Sequence, residues 1–455
     1  MSPAAMAAMG LFDRLRGGDR PTVLFLGIDG VPFGLIADQP ATFPTLTALA
    51  EDGAAGSIDS IIPPESSACW PALTTGVNPG KTGVYGFQDR EVGSYETYVP
   101  MGRDVQAERV WNRLEHDGGD ATVMNVPVTF PPDRSVDRMV SGFLSPELDR
   151  AAHPPAFRDA LESMGYRIDV DAKLGHQEDK SAFLEDAHET LEARFEAFHR
   201  YIEEGDWDLF FGVFMTTDRV NHFLYEDYER NGEFRDEFLT FYATLDEYIG
   251  RLLEAAPDEA TCIVASDHGF TTLEKEVHMN AWLESAGWLS YGTASPENLG
   301  DIADETRAYS LIPGRFYLNL ENREPRGTVP ADEYEATRAE LKEDLLDLRG
   351  PNGESVIARV VEREEVFRGD HESIAPDLVA LPTPGFDLKA GFKADSTIFD
   401  RGPRTGMHTF DDAALFIDDP SAVVTDANLY DIAPTILDCL AVESDRADFD
   451  GASLV

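Results

Sequence analysis

A chain of 455 residues exceeds the usual size of one hydrophobic core, so its length allows two or three domains, or one large α/β domain carrying an insertion. With 42% apolar and 10% aromatic residues, the composition is that of a folding sequence and excludes a disordered one. The 85 acidic against 37 basic residues, only seven of them lysine, give a formal net charge of −48, which argues against nucleic-acid polymers and anionic membranes as partners.

Such a surface repels itself in dilute buffer, whereas in molar salt the Debye length shrinks to about 3 Å and hydrated carboxylates keep the protein in solution. A salt-loving host is the first expectation, and an acidic mesophilic protein the second. Residues 1–20 are Ala/Gly/Arg-rich and hold no apolar run long enough for a signal-peptide core or a spanning helix. They read as an N-terminal extension of a cytoplasmic protein. Cys69, Cys262 and Cys439 are odd in number, widely spaced and set among apolar neighbours, the pattern of buried free thiols.

In chain order, residues 21–28 (PTVLFLGI) form a continuous apolar, β-branched run that stops at Asp29-Gly30, which predicts a buried parallel strand ending at a turn. Residues 63–87 open with two prolines and a serine pair and close on Thr75-Gly76 and Asn78-Pro79-Gly80, which predicts loop, short helix, turn. Helical patterns cover 182–203 and 233–255. Between and after them, strands over 208–215 and 261–265 stop just before Thr217-Asp218 and Asp267-His268. Three buried strands thus each end at an aspartate, where ligands bind in open α/β sheets.

After residue 285 the texture changes. Residues 314–320 alternate like a half-exposed strand, 331–348 read as an acidic helix and 356–366 as strand-like. The core is expected to resume at 376–380, continue at 413–417 and close with a helix over 428–440 that carries Pro434 near its first turns. The order predicts an α/β/α sandwich with a mostly parallel central sheet, its core in two parts (21–285 and 375–455), and a smaller cap-like module inserted over 286–374.

Chemistry gathers at the strand ends. Divalent ions that activate phosphoryl oxygen take Asp carboxylates and His imidazoles in sites that keep a position open. Asp218 and His222 lie four apart and share a face if the segment is helical, although an exposed helical pair has the same spacing. Asp267 and His268 are adjacent, which suits a turn whose side chains splay around an ion. A serine at the start of the helix after Pro63-Pro64 has its hydroxyl beside unpaired backbone amides that attract phosphate; an ordinary helix cap has the same sequence.

Taken together, GIDG at 27–30, S-x3-W-x4-TG at 66–76, NPGKTG at 78–83, TDRVNH at 217–222, SDHG at 266–269 and GMH at 406–408 resemble the type I phosphodiesterase/nucleotide pyrophosphatase family of the alkaline-phosphatase superfamily. The likeness extends through VMNVPVTFPP at 123–132, APDLVA at 375–380 and DIAPTILDCL at 431–440, and the charge points to a haloarchaeal member. The resemblance implies an alkaline-phosphatase-like fold and two divalent metal ions, zinc first and manganese second. It implies Asp29, Ser66, Asp267 and His268 around one ion and Asp218, His222 and His408 around the other. Ser66 rather than Ser67 takes the nucleophile slot, because that hydroxyl lies nine residues before the TG threonine, here Thr75.

Three departures stand out. Serine replaces the usual threonine nucleophile of nucleotide pyrophosphatases, Thr82 stands where the family has a histidine before Gly83, and Phe87 occupies the position of an asparagine that helps hold the phosphoryl oxygen. Oxygen stabilisation then falls to the metals, backbone amides and Lys81 or Gln88, which are candidate substrate contacts. Arg307 and Arg315 are further candidates for a substrate phosphate. His116, His153, His176, His188 and His199 read as structural, with His278 and His371 the candidates for lining the cleft.

The implied reaction is in-line displacement on a small phosphoester, a phosphodiester or pyrophosphate, through a phosphoseryl intermediate at Ser66. A sulfatase requires C-x-P-x-R, and here Cys69-Trp70-Pro71 is followed by Ala72-Leu73. A phosphomonoesterase or phosphomutase with the same ligands, and a non-catalytic metal-binding protein, are the remaining alternatives.

Overall fold

The computed structural model of the protein describes residues 20–392 and 397–455, so the extension expected over 1–20 lies outside the described residues apart from Arg20. Strand Val23–Ile28 is buried along its whole length, and its side chains divide by parity. Val23 and Phe25 enter one apolar cluster with Trp70, Trp111 and Leu437, whereas Leu24, Leu26 and Ile28 enter another with Phe43, Phe183, Phe198 and Phe238. A strand coated on both faces has to be apolar at every position, which is why the run lacks polar alternation.

Strand Leu209–Phe214 lies parallel on one side of it and strand Thr261–Ala265 parallel on the other. They form the middle of an eight-stranded sheet ordered Ala54–Ile58, Ala413–Ile417, Thr261–Ala265, Val23–Ile28, Leu209–Phe214, Ala121–Val126, Arg138–Ser141, Ala152–His153. Only the outer strands, at both edges, run antiparallel to their neighbours. Helices Ser181–Glu204, Thr216–Arg230 and Arg235–Ala255 cover one face. Helices Ser66–Thr75, Val110–His116 and Ile432–Cys439 cover the other. The result is an α/β/α sandwich around a mostly parallel sheet.

Gly27 marks where this packing is tightest. A Cβ there would lie 2.4 Å from Trp70 Cη2 and 2.9 Å from Val213 Cγ2. Neither a buried indole nor a valine in a filled layer moves aside cheaply. Gly27→Ala is therefore expected to cost ~1–3 kcal/mol, seen as a lower denaturation midpoint at unchanged m-value.

After residue 285 the chain builds a four-stranded sheet ordered Ala308–Leu311, Arg315–Leu318, Leu378–Pro382, Ile357–Glu362, backed by helix Tyr334–Leu346. Three expectations are corrected here. The run at 376–380 does not resume the main core: Leu378–Pro382 pairs antiparallel with Arg315–Leu318 and Ile357–Glu362, and the main sheet is re-entered only at Ala413–Ile417. Arg315–Leu318 is buried throughout rather than half-exposed, because the Arg315 guanidinium is neutralised inside by Asp89. The stretch 356–366 is strand only over Ile357–Glu362. A helical turn, Arg363–Val366, follows, and the Glu365 carboxylate accepts the Glu362 N–H at 2.6 Å. No helix among the described residues is long and apolar enough to cross a membrane.

Candidate active site

Three adjacent parallel strands deliver their following residues to one edge of the sheet. Val23–Ile28 leads to Asp29, Thr261–Ala265 to Asp267 and His268, and Leu209–Phe214 into helix Thr216–Arg230, with Asp218 in its first turn and His222 one turn on. Strand Gly406–Thr409 pairs antiparallel with Gly269–Thr272 and sets His408 opposite Phe270. Ser66 is the first residue of helix Ser66–Thr75 on the opposite layer. Buried polar side chains fix these ends to one another. Thr217 Oγ1 donates to the Asp29 carbonyl at 2.6 Å, Asn221 Nδ2 to the Gly30 carbonyl at 2.7 Å and Ser60 Oγ to the Asp267 carbonyl at 2.6 Å.

The structure thereby brings Asp29, Ser66, Asp218, His222, Asp267, His268 and His408 into one cluster. Each histidine Nδ1 lies 3.1 Å from a backbone carbonyl: Gly406 for His222, Gly269 for His268 and Pro64 for His408. A carbonyl only accepts, so each Nδ1 carries a proton; a neutral ring then presents the Nε2 lone pair inward, and His408 alone, beside Asp218, is placed to hold a proton on Nε2 when no cation is there. His222 Nε2 and His408 Nε2 are 3.1 Å apart, and Asp218 Oδ1 stands 3.3 and 3.2 Å from them. Lone pairs facing each other beside a carboxylate oxygen require a cation or a proton between them.

The other half of the cluster surrounds Ser66. Its Oγ is 3.3 Å from Asp29 Oδ1 and 3.1 Å from His268 Nε2, and His268 Nε2 is 3.5 Å from Asp267 Oδ2. Asp29 Oδ2 accepts the Trp70 indole N–H at 2.6 Å and Asp267 Oδ1 the Gly30 N–H at 3.1 Å. Asp267 Oδ2 is left buried without a hydrogen bond. Donor atoms of Asp29, Asp267 and His268 lie within 4.8 Å of one another, as do those of Asp218, His268 and His408. The His268 and His408 rings stack at 3.8 Å between centroids, so the two groups share a wall.

The electrostatics are those of a site short of positive charge. Burial, then the neighbouring Asp267 and Asp218, pushes the Asp29 carboxyl well above its ordinary range. Burial first pushes Asp267 up to about 7. Burial and the charge of His408 push His268 down to about 3, and burial lowers His222 well below its usual value. Asp218 and His408 move the other way. Against burial, His222, His408 and Arg219 hold Asp218 down, and the Asp218 hydrogen bond and charge hold His408 up. An orphaned buried carboxylate oxygen, inward-facing imidazole lone pairs and an Asp/His donor set fit divalent cations of the zinc or manganese kind. The Trp70, Gly30 and carbonyl contacts orient those donors as supporting groups do around metals.

A cavity of about 390 Å³ opens on the cluster. Ser66, Asp218, His222 and His408 line one part, Phe87 and Phe143 a second, and the Ile312-Pro313-Gly314 turn with Leu381 and Pro382 of the smaller sheet a third. Phe87 and Phe143 stack at 6.1 Å with 28° between planes. Glu65, next to Ser66, also lines the cavity; burial pushes its carboxyl up to about 6, and its Oε2 has no hydrogen bond.

Four sequence-predicted contacts are elsewhere. Lys81 Nζ pairs with Asp450 at 2.6 Å, outside this cavity. Gln88 Nε2 donates to Thr97 at 2.7 Å, and the cavity is faced by the preceding residue, Phe87. Arg307 pairs with Glu340 on the surface, and Arg315 is locked to Asp89 and the Gln88 carbonyl. Neither His278 nor His371 lines the cavity. Sequence reasoning passed over Trp70 and Arg219, although both lie inside quoted motifs, and over Glu65, Phe143 and Arg404, for which spacing gave no signal.

The family model for type I phosphodiesterase/nucleotide pyrophosphatase matches residues 23–411. Among solved structures, phosphonoacetate hydrolase from Sinorhizobium meliloti 1021 in complex with phosphonoformate is similar with a TM-score of 0.62 at 17% identity, covering 93% of this chain and 96% of that one. Murine ectonucleotide pyrophosphatase/phosphodiesterase 5 in complex with AMP gives a TM-score of 0.54 at 12% identity, covering 95% of this chain and 97% of that one. No curated protein sequence matches the chain. The structural likeness establishes an alkaline-phosphatase-like fold, and the family match goes further: the chain belongs to the type I phosphodiesterase/nucleotide pyrophosphatase family of the alkaline-phosphatase superfamily and is a phosphoester hydrolase.

Proposed function

We propose that the protein is a metal-dependent hydrolase of phosphodiester or pyrophosphate bonds in nucleotide-like or other small substrates, acting through a phosphoseryl intermediate on Ser66. The observation that carries this is the position of the Ser66 hydroxyl, 3.1 Å from His268 Nε2 and 3.3 Å from Asp29 Oδ1 at the mouth of the cavity. Asp29, Ser66, Asp267 and His268 would hold one divalent ion and Asp218, His222 and His408 a second, zinc or alternatively manganese. When bound, such ions supply the positive charge that makes the hydroxyl acidic and neutralises phosphoryl oxygens.

The chain's own groups do the positioning. In the first step the Ser66 Oγ–P bond forms as the P–O bond to the departing arm breaks in line with it; the departing oxygen keeps the electron pair of that bond and, in net terms, takes up the proton that Ser66 loses. In the second, water attacks the phosphoserine, its hydroxyl staying on phosphorus as the Oγ–P bond breaks and its other proton restoring the Ser66 hydroxyl. The stacked Phe87 and Phe143 give an ester arm an apolar wall to lie on. Phe87 in place of the family's asparagine removes a hydrogen bond to the phosphoryl oxygen, so this protein relies more heavily on the charge held by the Asp/His cluster.

The segment expected over 286–374, with strand Leu378–Pro382 completing its sheet, acts here as a cap-like module, a role supported by the cavity wall it contributes through Ile312, Pro313, Gly314, Leu381 and Pro382. The net charge of −48 supports work in molar salt inside the cell of a salt-loving, haloarchaeal host.

Steady-state hydrolysis of bis-p-nitrophenyl phosphate and p-nitrophenyl phosphate, in molar KCl with zinc or manganese, tests the reading. The expected result is a kcat/KM at least ~10-fold higher for the diester, because its second arm has a wall to occupy. A monoester preference would move the protein to the phosphomonoesterase or phosphomutase alternative on the same residues. Binding of metal without cleavage of either ester would favour a non-catalytic metal-binding protein.

A further inference from the structure

Three cations line the cavity, and two of them are neutralised by carboxylates. Arg219 donates to Asp169 at 2.9 Å and to Asp218 at 3.2 Å, with its guanidinium 4.3 Å from the centre of the Phe143 ring. Lys389 is ion-paired with Asp387. Arg404 lines the same cavity, is half-buried and makes no direct hydrogen bond or ion pair among the described residues; its charge helps to lower the Asp387 carboxyl, but that carboxylate is already paired with Lys389. In a chain with 85 acidic and 37 basic residues, carboxylate partners are abundant, so an arginine at the wall of a cavity with no direct partner among the described residues needs an explanation. A partly desolvated guanidinium is costly until an anion arrives to pair with it.

The position of Arg404 is fixed by the same framework that holds the site. The next residue, Thr405, donates its N–H to the His222 carbonyl at 2.7 Å and accepts from Leu273 N–H at 2.8 Å. His222 Nδ1 lies 3.1 Å from the Gly406 carbonyl, and a Cβ on Gly406 would be 2.3 Å from the Asn221 carbonyl oxygen, so the strand is pressed against the Asp218 helix. The guanidinium is therefore carried by the backbone that orients His222, in a cavity that also reaches Ser66.

We infer that Arg404 is a specificity-determining residue that pairs with a second anionic group, a carboxylate or a further phosphate or phosphonate, on the arm of the substrate that extends from the reacting phosphorus along the cavity. The inference rests on the phosphodiesterase reading above. It narrows the substrate class to phosphodiesters or pyrophosphates bearing an additional acidic function. A planar guanidinium suits both oxyanions, since each offers two oxygens to its paired N–H groups.

The test uses three p-nitrophenyl phosphodiesters whose second arm is propyl, 2-carboxyethyl or 2-phosphonoethyl. Each is assayed for kcat and KM with metal-loaded wild type, Arg404→Ala and Arg404→Lys at one KCl concentration. The wild type is expected to favour one or both anionic arms over propyl by ~10-fold or more in kcat/KM, carried mainly by KM. The arm favoured tells carboxylate from phosphonate. Arg404→Ala should lose that preference, its kcat/KM falling ~10-fold further on the anionic-arm diester than on the propyl one, and Arg404→Lys should restore part of it. Equal kcat/KM for all three arms in the wild type, or an equal fall on all three in Arg404→Ala, would overturn the role of Arg404. A wild type that cleaves none of the three would overturn the phosphodiesterase reading beneath it.

Discussion

Ser66→Ala is expected to lower kcat for a phosphodiester by about a thousandfold or more, while the six Asp and His side chains around it still bind metal. The size of the effect follows from what is removed. Ser66 Oγ is the hydroxyl that the start of helix Ser66–Thr75 points at the Asp29/His268 pair, 3.3 and 3.1 Å away. Its neighbour Ser67 is fully buried, with an Oγ that makes no hydrogen bond and does not line the cavity. Ser67→Ala is accordingly expected to change kcat by less than about threefold, which controls for damage to the helix start. Single-turnover assay with p-nitrophenolate release as the signal distinguishes the two. Burst release with wild type and Ser67→Ala and none with Ser66→Ala is the expected pattern, whereas undiminished turnover in Ser66→Ala would rule out the covalent route.

Asp218→Ala carries the second large effect. Asp218 Oδ1 sits 3.3 Å from His222 Nε2 and 3.2 Å from His408 Nε2, so it is the one carboxylate between two imidazoles whose lone pairs face inward. Without it, the remaining pair is a neutral two-nitrogen site, too weak to keep a catalytic ion. Metal analysis after desalting should find one ion fewer per chain than in wild type, with kcat/KM for the diester down by about a hundredfold or more. Arg219 keeps Asp169 as its partner, so the helix should remain in place. Unchanged metal content in Asp218→Ala would remove Asp218 from the ligand set.

The parts of this site that were legible in the sequence are those that local chemistry dictates. Strands buried on both faces have to be unbroken apolar runs, so Val23–Ile28, Leu209–Phe214 and Thr261–Ala265 stood out, and the polar residue following each was bound to reach the sheet edge. Asp29, Asp218 and Asp267 follow from those strand ends, and His222 and His268 from their spacing to Asp218 and Asp267. Ser66 and His408 needed the family resemblance, because nothing local distinguishes a helix-start serine that meets Asp29 across 37 residues from an ordinary cap.

What was not legible depended on distant partners. Lys81 looks available for a phosphate until Asp450, 369 residues on, is seen to hold it. Leu378–Pro382 is apolar enough for either sheet, and its pairing with Ile357–Glu362 decides the matter. Strand Ala54–Ile58 at the sheet edge, mostly half-exposed and built of small residues, carries neither a continuous apolar run nor a clean alternation. Arg404 resembles any surface arginine in sequence; it is informative only because it stands beside the cavity with no direct hydrogen bond or ion pair among the described residues.

The most direct measurement is a metal add-back. Protein stripped with a chelator and exchanged into chelator-free molar KCl is titrated with zinc, and separately with manganese, while bis-p-nitrophenyl phosphate hydrolysis and bound metal are followed together. The expected result is no turnover in the stripped protein and activity that rises to saturation at two ions per chain. Turnover that persists in the stripped protein, or two ions bound with no ester cleaved, would contradict a metal-dependent phosphoester hydrolase built on Ser66 and its Asp/His cluster.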